Sequence, residues 1–174
     1  MSPERQHQAT ASGLYTPEER ARRDATRWTL VQGLLAPVQF LAFLVSLVLV
    51  LRYLDSGEGL AAATISVVVK TALLYTIMVT GSIWEKVVFG RWLFARPFFW
   101  EDVFSMLVIA LHTGYLACLW YDWLRPRELM FLALAAYATY VINAGQFLVK
   151  LRMARLEATL AREAPLDGAL GQAS

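Results

Sequence analysis

Four stretches of the chain are apolar on nearly every helical face. They read WTLVQGLLAPVQFLAFLVSLVLVL (28–51), LAAATISVVVKTALLYTIMVTGSIW (60–84), VFSMLVIALHTGYLACLW (103–120) and LMFLALAAYATYVINAGQFLV (129–149). A helix needs about 20 residues to cross a hydrocarbon layer about 30 Å thick, and one that is apolar all round has no face for water. The pattern predicts an all-α membrane protein whose four transmembrane helices occupy 28–150. The first stretch is too long for a signal-peptide core and lacks a cleavage site, so it is expected to be retained.

Polar positions inside these stretches recur at helical spacing. Gln32, Gln39, Ser46 and Tyr53 fall every seventh residue in the first. Glu101, Ser105, His112 and Tyr115 share one face of the third, and Thr139, Asn143, Gln146 and Lys150 share one face of the fourth. Lys70 lies about ten residues from either end of the second, too deep to snorkel easily, and calls for a partner inside the bundle. Stripes of this kind suit hydrogen bonds between membrane helices. They equally suit a shared interior with apolar walls and a few convergent polar groups, fit for a large, flat, mostly hydrophobic ligand. His112 has three readings: a packing group, a proton relay, or an axial ligand to a metallotetrapyrrole.

Outside the spans, residues 1–14 are polar and aperiodic, a disordered tail. Residues 15–27 form a short amphipathic surface segment, with Thr16 as helix cap and Pro17 at the first helical position. DSGEG (55–59) marks a tight turn. The 85–97 connection interleaves Phe89, Trp92 and Phe94 with Arg91 and Arg96, which is too apolar for a solvated loop and predicts an interfacial or partly re-entrant segment. Residues 151–174 read as a helical extension of the fourth span and a disordered tail.

Charge adds orientation. Charged residues make up 17% of the chain, against roughly 25% in soluble domains. Twelve of the sixteen Lys and Arg residues lie in the N-terminal segment, the middle connection and the C-terminal segment. The positive-inside rule therefore predicts both termini and the aromatic/basic loop on the cytoplasmic side. The lone Cys118 excludes an intramolecular disulfide, a thiolate metal cluster and dithiol redox chemistry. No phosphate-binding loop, HExxH motif or Gly-x-Ser-x-Gly elbow is present, and neither a protein metal site nor a nucleic-acid partner is expected. Chemistry, if any, falls to carboxylates, His112, Lys70 or tyrosines.

Two Trp-Glu pairs, Trp84-Glu85 and Trp100-Glu101, flank the middle connection. A membrane boundary explains the tryptophans but not the carboxylates. Together with LYTPEERARRDATRWTLVQGLLAPVQF, IMVTGSIWEKVVFG, FFWEDVFSMLVIALHT and AAYATYVINAGQFLVKLR, they closely resemble the vinyl (bacterio)chlorophyllide hydratase family of photosynthetic bacteria, over about residues 14–156. The resemblance implies a multi-pass protein of the bacterial inner membrane that adds water to the ring-position-3 vinyl group of a chlorophyllide-type tetrapyrrole, giving a 1-hydroxyethyl group. It implies membrane lipid and other pigment-synthesis enzymes as partners. No cofactor is called for, because the magnesium arrives within the substrate.

Such a hydration protonates the outer vinyl carbon, and water then attacks the conjugated cation. The acid must be a carboxyl group kept protonated by desolvation or a like-charged neighbour. On that footing Glu101, Glu85, Asp102 and Ser105 are the candidate catalytic residues, with the two Trp-Glu pairs bracketing the site. His112, Lys70, Tyr115, Asn143 and Gln146 are candidates for holding the macrocycle, His112 as axial magnesium ligand. Arg91 and Arg96, with Lys86, are candidates for its propionate. The structural alternative pairs Glu85 and Glu101 with Lys86 and Arg96. The eleven residues between Glu101 and His112 span about 16 Å of helix, more than the distance from metal to vinyl, so the two roles strain against each other. The rival functions are a non-catalytic pigment carrier or assembly factor, a proton-relay subunit built on Lys70 and Glu85, and a purely structural membrane partner.

Overall fold

The computed structural model describes residues 14–170. The expectations for 1–13 and for 171–174 lie outside the described residues. The order of elements is α1 (Pro17–Ala25), α2 (Arg27–Ser56), α3 (Leu60–Phe89), a 3-10 turn (Arg96–Phe98), α4 (Phe99–Trp120) and α5 (Pro126–Leu170). Helices α2 to α5 each contain a stretch long and apolar enough to cross a membrane.

Local chemistry sets the helix ends. Thr16 caps α1 reciprocally: its hydroxyl accepts from the Glu19 N–H at 3.2 Å, and the Glu19 carboxylate accepts from the Thr16 N–H at 2.8 Å. Helix α2 stops at Gly57 and α3 at Gly90, both at positive φ (74° and 77°), where a side chain would clash with the following carbonyl. The middle connection is shorter than the sequence predicts. Helix α3 runs on to Phe89, so Glu85 sits on a helix and only Gly90–Ala95 is irregular. At the C-terminal end α5 continues to Leu170.

Helices α2 and α3 form one close antiparallel hairpin, and α4 and α5 a second. The hairpins meet along α2–α5 and α3–α4, where the packing is sparser. With four alternating spans, α1, the middle connection and the C-terminal extension share one end of the bundle. There Tyr15, Trp84, Phe89, Phe98 and Phe147 form an aromatic cluster, with Tyr15 stacked on Phe89 and Phe98 on Phe147. Burial there pushes the Tyr15 phenol up, and the Arg23 guanidinium over its ring opposes the shift.

The bundle is apolar outside, and its interior combines an apolar core with a set of buried polar side chains. Leu41, Val45, Val48, Ile65 and Leu148 project outward, whereas Gln39, Ser46, Lys70, Thr71, Ser105, His112 and Asn143 are buried. An apolar exterior with the polar groups kept inside is what a lipid surround selects. Trp100 and Trp120 are 65% and 82% exposed at opposite ends of α4. Twenty residues at 1.5 Å rise separate them by about 30 Å, the thickness of the hydrocarbon layer.

Candidate functional site

The polar side chains form two stations along the interior. One lies at the end of the bundle that carries the aromatic cluster. Glu85, Glu101 and Asp102 are all buried there. Glu85 Oε2 accepts the Ala95 N–H at 3.2 Å, and Asp102 Oδ2 accepts the Phe94 N–H at 2.6 Å. Phe94 has φ of 59°, unusual for a bulky side chain, so the Asp102 bond holds a strained turn in place. The Glu85 and Asp102 carboxyl groups are close neighbours in this station. Glu101 turns the other way, to an ion pair with Lys150 Nζ at 2.7 Å.

These contacts differ from the pairing expected under the structural alternative. Lys86 donates to the Gly90 carbonyl, and Arg91 and Arg96 are exposed. The two Trp-Glu pairs are also unlike each other. Trp84 donates its indole N–H to Thr29 Oγ1 at 3.0 Å, and that hydroxyl donates onward to the Arg23 carbonyl, locking the α1–α2 junction to α3. Trp100 faces outward.

The second station is at mid-bundle. Lys70 Nζ lies 2.7 Å from His112 Nε2, and His112 Nδ1 donates to the Val108 carbonyl at 2.8 Å. That backbone bond places the ring proton on Nδ1 and leaves Nε2 to receive Lys70. The Lys70 amine also sits 4.1 Å from the centre of the Tyr140 ring and 5.3 Å from that of Tyr137. Tyr137 in turn hydrogen-bonds Ser46 at 2.5 Å, and Ser46 bonds Ser66. Residues from all four spans thus meet here.

Between the stations, Asn143 Nδ2 donates to Ser105 Oγ at 2.8 Å. Glu101, Ser105, His112 and Tyr115 are all buried along α4, as a shared face requires. The predicted residues therefore divide: Glu85, Glu101 and Asp102 gather at the bundle end, Lys70 and His112 at mid-depth, and Ser105 with Asn143 between them. Tyr115 lies deeper, with its hydroxyl toward Thr64. Arg91 and Arg96 belong to the surface.

Sequence reasoning passed over Lys150 as a site residue, along with Tyr137, Tyr140 and Gln39. For the tyrosines a signal existed. Tyr140 lies three residues before Asn143 and Tyr137 three before Tyr140, so each is about one turn from the next on the buried side of α5.

The model of the family described as 2-vinyl bacteriochlorophyllide hydratase matches residues 15–153. A Rhodobacter capsulatus protein named 2-vinyl bacteriochlorophyllide hydratase is 73% identical over 146 residues, covering 83% of this chain and 84% of that protein. A Cereibacter sphaeroides protein of the same name is 72% identical over 145 residues, covering 83% of this chain and 89% of that one. No solved structure matches the chain. The matched residues take in α1, all four spans and both polar stations, and on this footing the chain belongs to the 2-vinyl bacteriochlorophyllide hydratase family.

Proposed function

We propose that the chain is a hydratase, a carbon–oxygen lyase by class, which adds water across the ring vinyl group of a bacteriochlorophyllide-type tetrapyrrole to give a 1-hydroxyethyl group. The position-2 vinyl of the family description and the position-3 vinyl above are one group under two ring numberings. The observation that carries this reading is the 73% identity to a protein of that name over 83% of the chain. The working site is the multi-pass bundle, in the bacterial inner membrane with both termini cytoplasmic, as the distribution of basic residues argues. The pigment enters from lipid through the sparsely packed seam between the two hairpins. Arg91 and Arg96, both exposed at that end, reach its propionate.

The carboxyl pair Glu85–Asp102 supplies the acid. Two neighbouring buried carboxyl groups are best accommodated with one proton between them. That proton passes to the outer vinyl carbon, where the positive charge then spreads over the macrocycle. Glu101, held by Lys150, supports the Asp102 side of the pair. Water adds to the inner carbon and returns a proton to the carboxyl pair, so the catalyst is regenerated and no dissociable cofactor takes part. Ser105 and Asn143 lie one helical turn inward from these carboxyls. Lys70 and His112 form the floor beneath the macrocycle. His112 becomes a ligand to the pigment's magnesium when Lys70 swings away from Nε2, and the ring then lies tilted along the bundle, because Asp102 is ten residues, about 15 Å of helix, from His112.

The test is incubation of detergent-purified protein with the vinyl pigment and no added cofactor, followed by mass analysis. The native chain is expected to yield a product heavier by one water. Glu85→Gln and Asp102→Asn are each expected to bind pigment but to lose about 10²- to 10⁴-fold in rate. Pigment binding without conversion by the native chain would instead identify a carrier. Conversion at the native rate by both variants would move the acid elsewhere.

A further inference from the structure

Gln39, on α2, is only 2% exposed, and among the described residues neither its Nε2 nor its Oε1 has a hydrogen-bond partner. Asn143, on α5, is 8% exposed; it uses Nδ2 on Ser105, but its Oδ1 has no partner. One turn further along α5, Gln146 Oε1 is likewise buried and unpartnered. Buried amides normally complete their hydrogen bonds, and a bundle surrounded by lipid gives them no bulk water to turn to.

Gln39 and Asn143 occupy one level of the bundle, with Gln146 one turn nearer the carboxyl groups. The Phe43 ring on α2 meets Tyr137 and Tyr140 on α5, at 5.4 and 5.1 Å between ring centres. The two helices run antiparallel. One turn before Phe43 comes Gln39, and one turn after Tyr140 come Asn143 and Ala144. Both steps lead towards the carboxyl end, so the Gln39 and Asn143 amides arrive at the same depth. On α4 that depth is Ser105, about 6 Å along the helix from Glu101 and about 10 Å from His112. The layer therefore lies between the carboxyl station and the Lys70–His112 floor.

Resting on the hydratase reading, we propose that Gln39, with Asn143 and Gln146, forms a water-binding site that holds the nucleophile of the reaction. Amide oxygens accept the two O–H bonds of one water molecule and leave a lone pair free to attack. The carboxyl pair gives a proton to the outer vinyl carbon, and the carbon–carbon double bond supplies the electrons for the new C–H bond. The water oxygen then bonds to the cationic inner carbon, and its surplus proton returns to the carboxyl pair. Gln39 Nε2 donates to the hydroxyl so formed. Proton, water and pigment balance without an oxidant or reductant. All three amides act on water and none acts on the proton that reaches carbon, which separates their role from that of the acid.

Deuterium distinguishes the two roles. Native protein, Gln39→Met and Glu85→Gln are incubated with vinyl pigment in heavy water. The readouts are hydrated product, deuterium on the outer vinyl carbon of recovered pigment, and pigment binding by absorbance. In Gln39→Met the cation is still formed but is captured slowly, and it returns to the vinyl form by losing a proton. Hydration is expected to fall at least tenfold, and the ratio of vinyl deuteration to hydration to rise at least tenfold. Glu85→Gln is expected to lose both. Parallel loss of both signals in Gln39→Met with pigment still bound, or hydration at the native rate, would overturn the proposal. If Gln39→Met binds no pigment, Gln39→Asn decides, since it keeps the amide but withdraws it by one methylene. An intermediate rise in the ratio supports the site, and an unchanged ratio overturns it. Absence of turnover in the native chain removes the hydratase reading and this proposal with it, whereas failure of the water site alone leaves native turnover intact.

Discussion

Lys70→Met removes the amine at mid-bundle and keeps an unbranched stem of similar volume. The fully buried amine gains from two contacts, the 2.7 Å approach to His112 Nε2 and the 4.1 Å approach to the Tyr140 ring centre. Hydrogen bonds between membrane helices are worth about 0.6 kcal/mol on average and about 1.7 at most. A desolvated cation over an aromatic face gains about 2 kcal/mol. Against these stands the cost of a lysine near the bilayer centre, about 2.5 to 3.5 kcal/mol on the insertion scale. The opposing effects cancel to within about 1 kcal/mol. In the variant, His112 keeps its bond to the Val108 carbonyl but loses its donor at Nε2, which costs about 1 kcal/mol more. Stability on reversible unfolding from mixed micelles is therefore expected to lie within about 2 kcal/mol of native, while hydration falls at least tenfold. On this reasoning Lys70 adds little to the fold, and the fall in hydration is the outcome that would give it a functional role. A loss above about 3 kcal/mol, with turnover per folded molecule intact, would refute that and make the lysine a structural post.

Three further outcomes follow from other contacts. Trp84→Phe keeps a ring in the aromatic cluster but deletes the N–H donated to Thr29; it should cost about 1 kcal/mol and speed limited proteolysis within α1, with hydration little changed. Asp102→Ala strands the Phe94 N–H in its left-handed turn and should cost about 2 kcal/mol in the same unfolding assay, whereas Asp102→Asn, which retains an acceptor oxygen, should recover at least half of that while still failing in catalysis. In a Cys118→Ser background, a cysteine at Arg91 should react with a membrane-impermeant maleimide only after cells are opened, and one at Ser56 should react in intact cells; the reverse pattern would invert the orientation.

Much of the architecture was legible because lipid imposes its rule locally. Each span must satisfy its own backbone and present apolar side chains, so 28–51, 60–84, 103–120 and 129–149 announce themselves without knowledge of their neighbours. The α1 cap was legible for a similar reason, since Thr16, Pro17 and Glu19 act within four residues. The stripe from Glu101 to Tyr115 was legible as a shared face, and all four of its members are buried. Its partners were not. Glu101 pairs with Lys150, 49 positions away, rather than with the nearer Lys86 or Arg96. His112 meets Lys70 across 42 positions. No periodicity within one helix encodes which side chain another helix brings opposite.

By itself, then, the amino-acid sequence determined the number of spans, the depth of each polar residue along its own helix, and the family to which the chain belongs. Depth follows from 1.5 Å of rise per residue and needs nothing else. Tertiary structure alone decided the azimuth and register of one helix against the next. Those placed Glu85 beside Asp102, turned Arg91 and Arg96 outward, engaged both nitrogens of His112, and set the Phe43 ring against Tyr137 and Tyr140, the register that brings Gln39 level with Asn143. In a uniformly apolar surround, rotating a helix about its axis changes its exposure to lipid very little. What sets the rotation is the pairing of a few buried polar groups with each other, a property of the assembled bundle rather than of any one stretch of chain.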